Sequence, residues 1–410
     1  MCDCDPTELK LDYEAFGRQV LDVCVGLKAG EKVWISTWEH DTELSSQLAL
    51  QCLKRGCPTL TTVQFDKPWL YTIQEAPAEL AERLSASQAA LLKTIDVYIF
   101  TLGPRIIPWD MIPPERRQLV TYWFLEQNKF VQKWKTIAKA RRVRMLGIEA
   151  TMATPERAKN LGLDYEEWKR VMFDGCVADP KAVGKRAKTV EKLFQGDEEV
   201  RLKTPHGTNF TFKLDNRPAD SFDGIIREDW VSQGRPSFLP AGGIEVSVNE
   251  QSGQGRIVFD QPIRSLLKEG IINRLTLTVS EGRIVNSSAG NQQQAFERWL
   301  TEGKGDVDRL AFFGFGLNPN LRHGFTQDDK VLGGVTIGFG DNSDKEGKNK
   351  ADRGFWASMT GATVTHWEQT CDERWKAVGL GRHSSFRPSL YDRRTMALSW
   401  AKRFRSKFEN

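Results

Sequence analysis

The chain has 410 residues, of which 58 are basic and 54 acidic, and its net charge at pH 7 is +4. This length favours two domains over one. The near balance of charge excludes a global electrostatic footprint for nucleic acid or for a membrane surface, so neither is an expected partner. The seven cysteines have no recurring spacing, which argues against a disulfide framework. The sequence shows neither a secretory signal pattern nor a long apolar run, and we expect a soluble, cytoplasmic protein.

The first half of the chain alternates predicted helices and strands. Apolar positions from Leu9 to Leu27 fit a helix that Gly30 closes. Strands are predicted at Val33–Trp38, Leu60–Val63, Asp96–Leu102 and Val143–Ile148. The alternation indicates an α/β domain with a mostly parallel, doubly wound sheet. No glycine-rich phosphate-binding turn follows any of these strands, which disfavours a nucleotide ligand.

The pattern changes near residue 196. Helical segments are predicted around Pro155–Asn160, Tyr165–Cys176 and Lys181–Phe194. Short predicted strands begin at Glu199 and dominate the remainder of the chain. We therefore predict two domains: an α/β, Rossmann-like domain over residues 1–195, and a strand-rich α+β domain over residues 196–410 that carries the functional site.

Three glycine-rich pieces lie in the second half, at Leu239–Glu245, Phe312–Pro319 and Leu332–Asn342. Glycine allows a backbone to approach a ligand or another strand closely. The sequence leaves two interpretations open for these pieces, since they suit strands that line a site and equally suit tight strand crossings at a barrel corner.

His366 and Glu368 form the most specific candidate pair. They follow the β-branched run Thr363-Val-Thr365, so a strand is predicted, and residues two apart in a strand share one face. Imidazole and carboxylate together suit zinc, manganese or ferrous iron, although catalytic metals usually take three or more protein ligands. The alternative is a half-buried histidine beside an exposed glutamate.

Taken in order, several motifs resemble those of the thermophilic metallo-aminopeptidases of the aminopeptidase T and S type. The resemblance runs over nearly the whole chain. The motifs that carry it are Gly162-Leu-Asp-Tyr-Glu-Glu-Trp168, Phe173-Asp-Gly-Cys176, Leu239-Pro-Ala-Gly242, Gly314-Phe-Gly-Leu-Asn-Pro319, Gly340-Asp-Asn342, Gly347-Lys-Asn349 and His366-Trp-Glu368 with Cys371-Asp372. The resemblance implies an α/β domain, a barrel-like C-terminal domain, a two-metal site in the cleft between them, and a homodimer.

The ligand set that this resemblance implies is incomplete in the present chain. His366 and Glu368 match a His-Trp-Asp triplet that supplies two ligands, with Glu replacing Asp. The other ligand positions fall on Gly243, Phe312 and a position near Thr336. The resemblance therefore predicts no more than one catalytic metal per subunit, an ion of iron, zinc, manganese or cobalt, and it leaves open that none is bound.

This chain also resembles a related branch of the same fold, the dihydroxypyridine ring-opening dioxygenases. That branch likewise lacks the first metal-binding glutamate and the strand histidine. That branch holds one ferrous iron with two histidines and one carboxylate. By this resemblance His366 and Glu368 would be two of the ligands, and His323 is the nearest substitute for the third. Glu228 lies where the dioxygenase branch has an acidic cleft residue, so it is the candidate acid/base, with an ordinary loop acid as the alternative.

Three functional hypotheses follow from the sequence. The first is a metal-dependent enzyme that hydrolyses an amide or peptide bond of a small polar or aromatic molecule, or of a short peptide, in an interdomain cleft. The second is a mononuclear non-heme iron dioxygenase that opens a dihydroxypyridine-type ring. The third is a metal-free binding protein or pseudoenzyme. Fold class alone does not separate these possibilities.

Overall fold

A computed structural model describes residues 11–120, 129–192, 194, 196–267, 269–367 and 376–377 of the chain. The chain divides into two compact units. Unit 1 comprises Met1–Arg186, Phe222–Gly242 and Asn318–Phe325, and unit 2 comprises Ala187–Ser221, Gly243–Leu317 and Thr326–Asn410. The single cut predicted at residues 195 and 196 differs from this division, because two short segments of the C-terminal half join unit 1.

Unit 1 contains a five-stranded sheet in the order β2-β1-β3-β4-β8, and its recorded pairings are all parallel. The strands are β1 Val33–Trp38, β2 Thr59–Gln64, β3 Val97–Thr101, β4 Arg144–Ile148 and β8 Ser237–Leu239. Every residue of β1 and β3 is buried. Central strands of a parallel sheet are covered on both faces, which explains why both strands are buried along their whole length.

The helices of unit 1 precede β1 or lie between these strands, and the helix Pro180–Glu191 continues into unit 2. They are α1 Tyr13–Gln19, α2 Thr42–Lys54, α3 Asp66–Gln74, α4 Ala78–Glu82, α5 Ala86–Thr94, α6 Lys129–Arg141, α7 Pro155–Leu161, α8 Tyr165–Cys176, α9 Pro180–Glu191 and α10 Glu228–Gln233. A π-helical turn, Val20–Val25, continues α1 and ends at Gly26, which has a φ of +60°. The first helix therefore ends at Gly26, four residues before the predicted Gly30, because Gly26 already adopts the left-handed conformation that terminates helices.

Aromatic side chains form the core on one side of the parallel sheet. Trp34 of β1 and Tyr98 of β3 have ring centroids 4.7 Å apart, and Trp134 of α6 lies 5.0 Å from Tyr98. Trp134 and Ala138 are one helical turn apart, so α6 buries one stripe and leaves its lysines and arginines on the solvent side.

The Gly162 to Trp168 motif has a structural role in unit 1. Gly162 ends α7 with a φ of +61°. The Asp164 side chain then accepts a hydrogen bond from the Glu167 backbone N–H at 2.8 Å and caps α8. Trp168 is buried, with 1% of its surface exposed. These residues therefore set a tight helix-to-helix turn and anchor its second helix.

Unit 2 is rich in antiparallel strands. A seven-stranded sheet has the order β14-β13-β10-β6-β5-β18-β19, a five-stranded sheet has the order β17-β16-β15-β9-β7, and β11 and β12 form a separate pair. The strands are β5 Glu199–Lys203, β6 Asn209–Lys213, β7 Ala219–Phe222, β9 Gly243–Ser247, β10 Gln254–Phe259, β11 Ile263–Leu267, β12 Gly270–Ile272, β13 Leu275–Ser280, β14 Arg283–Ser288, β15 Leu310–Gly316, β16 Val335–Gly340, β17 Gly354–Met359, β18 Thr363–Trp367 and β19 Lys376–Ala377. One α-helix, α11 Gln293–Glu302, belongs to the described part of this unit.

These observations confirm the predicted fold class, an α/β N-terminal part with a mostly parallel sheet and a strand-rich C-terminal part. All three glycine-rich pieces contribute to strands of the five-stranded sheet. Phe312–Pro319 lies partly in β15, Leu332–Asn342 contains β16, and Leu239–Glu245 ends within β9. None of the helices among the described residues has the length and apolar character that crossing a lipid bilayer requires.

Candidate functional site

One face of the five-stranded sheet in unit 2 is polar, whereas the other is apolar. Side chains alternate between the two faces along each strand. Gly314 of β15 is in register with Glu245 of β9 on one side and with Thr336 of β16 on the other. The polar face is therefore built from two rows of residues across the strands: Glu245, Gly314, Thr336 and Ser358 in the first, and Ser247, Phe312, Gly338 and Trp356 in the second. We call this surface the Glu245 face.

Glycines make room on the Glu245 face. A Cβ atom at Gly314 would lie 2.8 Å from Cγ of Glu245, and a Cβ atom at Gly338 would lie 2.2 Å from Cε1 of Phe312. Both distances are far shorter than ordinary van der Waals contact. Each glycine therefore lets the side chain of the neighbouring strand lie flat across the sheet.

Glu245 and Lys345 form a nearly buried ion pair on this face. Lys345 Nζ lies 3.8 Å from Glu245 Oε2 and 3.1 Å from Oδ2 of Asp344, and the side chains of Glu245 and Lys345 are 12% and 16% exposed. Burial raises the pKa of Glu245 to about 7, with Lys345 opposing this shift and nearby aspartates reinforcing it. Burial acts to lower the pKa of Lys345, but the negative charge of Glu245 and Asp344 outweighs it and the pKa is raised. Near neutral pH the lysine is thus charged while the glutamate exchanges its proton.

Aromatic rings and a hydroxyl group adjoin the pair. Lys345 Nζ lies 5.0 Å from the ring centroid of Phe312, whose ring is 6.4 Å from that of Trp356. Trp356 is half exposed. Ser247 Oγ is buried and has no hydrogen-bond partner among the described residues. The face thus presents a titrating carboxyl, a fixed cation, an unsatisfied hydroxyl and an aromatic wall, the set that orients a planar molecule with a polar substituent.

A buried polar network holds the turn that carries Lys345. The Asn342 amide donates to Glu250 Oε1 at 3.1 Å and to the Ala311 carbonyl at 2.9 Å. Asn349 donates to the carbonyl groups of Leu310 and Gly340, and a Cβ atom at Gly347 would overlap the Asn342 side chain. The motifs Gly340-Asp-Asn342 and Gly347-Lys-Asn349 therefore brace the 3₁₀ turn Ser343–Lys345 against the sheet.

The structure describes three of the four sequence-predicted site residues, His366, His323 and Glu228. His366 lies in β18, as the strand prediction required, and pairs in register with Val200 of β5 in the seven-stranded sheet. Glu368 lies outside the described residues. His323 is in a turn of unit 1, whereas His366 belongs to unit 2. A shared metal site of His366, Glu368 and His323 therefore stays a prediction.

Glu228 is the first residue of α10, and its side chain is 73% exposed and ion-paired with Arg142. The desolvation expected for a cleft acid/base is not present around an exposed carboxylate that pairs with an arginine. Its catalytic role stays a prediction that this environment does not favour.

The Glu245 face does not fit a two-metal site. The ligand positions implied by the sequence resemblance all lie on this face, and they are occupied by Gly243, Phe312 and Thr336. These three residues offer a single hydroxyl group, that of Thr336. The remaining carboxylate, Glu245, already faces the Lys345 ammonium, which would repel a divalent cation beside it. Among the described residues, no group of three or more His, Cys, Asp or Glu side chains is arranged to hold a metal ion.

The sequence prediction missed both Glu245 and Lys345. Glu245 could have been found, because it lies two residues after Gly243 in the same strand and therefore on the same face. Lys345 has no comparable signal. It reaches the face only because the turn between β16 and β17 folds back over the sheet, and a residue pattern within one strand does not predict such a contact.

Comparisons with known proteins agree with this fold. The family model NicX, 2,5-dihydroxypyridine 5,6-dioxygenase, matches residues 175–336, which is less than half of the chain. No curated protein sequence shows a significant match. The structure of 2,5-dihydroxypyridine dioxygenase from Pseudomonas putida KT2440 is similar with a TM-score of 0.55 and 15% identity, over 86% of this chain and 92% of that one. Wild-type AmpT from Thermus thermophilus is similar with a TM-score of 0.64 and 14% identity, over 89% and 96%.

These similarities confirm the resemblance to both branches that the motifs predicted. At such low identity the two solved structures establish the fold alone. The chemistry of the present chain has to be argued from its own residues.

Proposed function

We propose that the protein is an enzyme that acts on a small polar or aromatic molecule bound on the Glu245 face. The observation that carries this proposal is the buried pair of Glu245 and Lys345, 3.8 Å apart, beside the Phe312 ring. A carboxyl group whose pKa is about 7 is suited to take up and release protons at neutral pH. Burying an ion pair costs free energy of desolvation, so the Glu245–Lys345 pair is weak evidence for a stabilising role. We therefore attribute the pair to catalysis.

The reaction class that we propose first is hydrolysis of an amide or peptide bond. Glu245 as a carboxylate would accept a proton from the attacking water and then deliver it to the leaving nitrogen. The Lys345 ammonium would stabilise the negative charge that develops on the carbonyl oxygen. Phe312 and Trp356 would orient a planar or aromatic part of the substrate. Each of these steps uses a group that the structure places on the Glu245 face.

Ring-opening oxygenation is the second candidate, and the family match over residues 175–336 favours it. That span contains β9 and β15 and ends at Thr336, so it covers the strands that carry Glu245 and Phe312. A single iron held through His366 and Glu368, with His323 as a third ligand, belongs to this hypothesis. A metal-free binding protein is the third candidate, because Gly243, Phe312 and Thr336 replace the implied ligands.

The two reactions differ in whether they consume oxygen. We propose to purify the full chain without a histidine tag or chelator and to offer it unblocked dipeptides and, separately, 2,5-dihydroxypyridine in an oxygen-electrode cell. Cleavage of a dipeptide without oxygen uptake supports hydrolysis, and oxygen uptake on the pyridine that needs added ferrous iron supports the second candidate. Binding of either compound without turnover would contradict an enzymatic role and favour a binding protein.

A further inference from the structure

A second polar cluster lies at the carboxyl edge of the parallel sheet in unit 1. The strand order β2-β1-β3 places β1 and β3 side by side, while the chain leaves β1 towards β2 and returns to β3 on the other side. Loops that leave two neighbouring strands in opposite directions open a crevice between them, and ligands of open α/β sheets bind there. In this chain His40 and Asp41 follow β1, and Arg105 follows β3.

Several polar atoms of this cluster are buried without hydrogen-bond partners among the described residues, although the Arg105 and Glu156 side chains as a whole are 41% and 40% exposed. They are Nδ1 and Nε2 of His40, Oδ2 of Asp41, Nε of Arg105, Oε2 of Glu156 and Nε of Arg157. His40 Nε2 lies 3.4 Å from Asp41 Oδ2 but not in hydrogen-bond geometry, and both side chains are only 11% exposed. Native proteins satisfy nearly all buried polar atoms, so such a concentration indicates that a ligand completes the bonding.

The pKa shifts of Asp41, Arg157 and His40 agree with buried groups that lack sufficient partners within the protein. Burial raises the pKa of Asp41 to about 7, although Thr101 and Arg157 act to lower it. Burial lowers the pKa of Arg157 to about 10, although Asp41 and Asp66 oppose the shift. Burial also lowers the pKa of His40, and Asp66 and a contact with the Thr151 backbone offset this only in part. In each case desolvation exceeds the interactions that the protein itself supplies.

The loop geometry is fixed around these atoms. Arg157 Nη2 donates to the Pro104 carbonyl at 2.6 Å, and Gly103, with a φ of +75°, leaves room for this guanidinium. Thr154 Oγ1 donates to the Arg105 carbonyl at 2.6 Å, and the Arg105 backbone N–H donates to Asp66 Oδ1 at 3.1 Å. These bonds hold the Arg157 guanidinium and the Arg105 backbone in place beside the unsatisfied atoms, which favours a preorganised site.

The identity of these atoms restricts the ligand. Arginine Nε groups and an imidazole N–H donate hydrogen bonds, whereas Asp41 and Glu156 oxygens accept them. An anion alone would leave the acceptors unsatisfied, and a cation alone would leave the donors unsatisfied. A metal ion is excluded by the guanidinium groups and by the small number of ligating atoms, and the turn after β1, Glu39-His40-Asp41, lacks the glycines of a nucleotide site.

We propose that this edge of unit 1 binds a small zwitterion that carries a carboxylate and an ammonium group close together, the chemistry of a free α-amino acid. The carboxylate accepts hydrogen bonds from Arg105, Arg157 and His40. The ammonium group donates to Asp41 and Glu156. The site uses no residue of the Glu245 face, so its occupancy is independent of the function proposed for that face.

Isothermal titration calorimetry of the full chain against each of the twenty L-α-amino acids tests this proposal. At least one is expected to bind with a dissociation constant on the order of 1 mM or below. Acetate and methylammonium, which each offer half of the ligand, should bind about tenfold more weakly or not at all. Absence of binding by every amino acid, or acetate binding as tightly as the best of them, would overturn the proposal.

Three variants locate the binding. His40→Gln and Arg157→Lys should each weaken it by about tenfold or more, because each removes hydrogen-bond donors of the site. His206→Gln is the matched control, since His206 is 45% exposed and lies in unit 2, and it should leave the affinity unchanged. Circular dichroism establishes whether each variant is folded. If His40→Gln does not fold, Arg157→Lys, which preserves the positive charge, still tests the site. Unchanged affinity in a folded Arg157→Lys would place the ligand elsewhere and refute the assignment.

Discussion

At the scale of single residues, two buried carboxyl groups of unit 2, Glu250 and Glu245, differ in their hydrogen-bond donors and in the direction of their pKa shifts. Glu250 accepts hydrogen bonds from Arg217, Asn342 and the Lys348 backbone N–H. Burial alone would raise its pKa, but these donors outweigh burial and lower the pKa to about 2. Within the described ranges, Glu245 has one cation at 3.8 Å and no comparable set of donors, and its pKa is raised to about 7. The first environment is typical of a structural carboxylate and the second of a catalytic one.

Glu250 should therefore stabilise the fold in a pH-dependent manner. Because its pKa is lowered on folding from 4.5 to about 2, its contribution is present above pH 4.5 and is lost as the pH falls towards 2. This shift corresponds to roughly 3 kcal/mol. Glu250→Gln should thus lower the free energy of unfolding by that order at pH 7 and by much less near pH 3, as measured by urea denaturation. An equal effect at both pH values would contradict this role.

Lys345 should set the proton affinity of Glu245. Its positive charge holds the Glu245 pKa below the value that burial alone would give, so Lys345→Met should move the titration of Glu245 to higher pH. The measurement is ¹³C NMR of chain labelled at glutamate carboxyl carbons, with Glu245→Gln used to assign the signal. Lys348→Met is the control, because Lys348 is 81% exposed. The same Glu245 titration midpoint in the wild type, Lys345→Met and Lys348→Met would show that Glu245 and Lys345 do not interact.

At the scale of secondary-structure elements, the Glu245 face depends on glycine in β15 and β16. Gly338→Ala should force Phe312 out of its position, since the new Cβ would lie 2.2 Å from the ring. Overpacking of this kind costs about 1–3 kcal/mol. Gly17→Ala in α1 is a contrasting control, because its Cβ would lie 3.3 Å from Cγ of Gln51 and 3.8 Å from Leu48, which are much longer distances. That change should be neutral or stabilise the fold by up to about 1 kcal/mol. Equal thermal stability of both variants would contradict the close packing of Phe312.

Prediction from sequence succeeded where one element determines its own pattern. Val33–Trp38 is found as β1 and Tyr165–Cys176 as α8, since a run of β-branched and aromatic residues and a capped amphipathic helix are local signals. It did not identify α3, α4 and α5, whose short segments with many exposed residues have weak periodicity. The rows across the five-stranded sheet and the turn that carries Lys345 depend on strand register, which no single segment encodes.

At the scale of the whole molecule, similarity to solved structures at 14–15% identity establishes the fold, and a fold does not determine the chemistry. The ligand positions implied by the resemblance are Gly243, Phe312 and Thr336 here, and the homodimer and the interdomain cleft remain predictions. The metal content is the property that separates the hypotheses most simply.

We expect no more than one tightly bound transition-metal ion per chain, held through His366 and Glu368 if any is bound. His366→Ala should then lose that ion and keep its fold, because removal of a ligand deletes little apolar burial. Inductively coupled plasma mass spectrometry of untagged protein, with His206→Gln as the control, measures this. Two ions per chain would contradict the expectation, and an ion that persists in folded His366→Ala would exclude His366 as a ligand.

The proposed chemistry requires Glu245 to be the proton-transferring group of the Glu245 face. The most direct test is the pH dependence of kcat/KM of the wild-type chain, Glu245→Gln and the exposed control Glu302→Gln, on the substrate that the oxygen-electrode screen identifies. In the wild type and the control, activity should rise with pH through about 7, because the ionised carboxyl accepts the proton. Glu245→Gln should lose at least about 100-fold in activity together with this ionisation. A folded Glu245→Gln with wild-type activity and an unchanged pH profile would contradict the central claim.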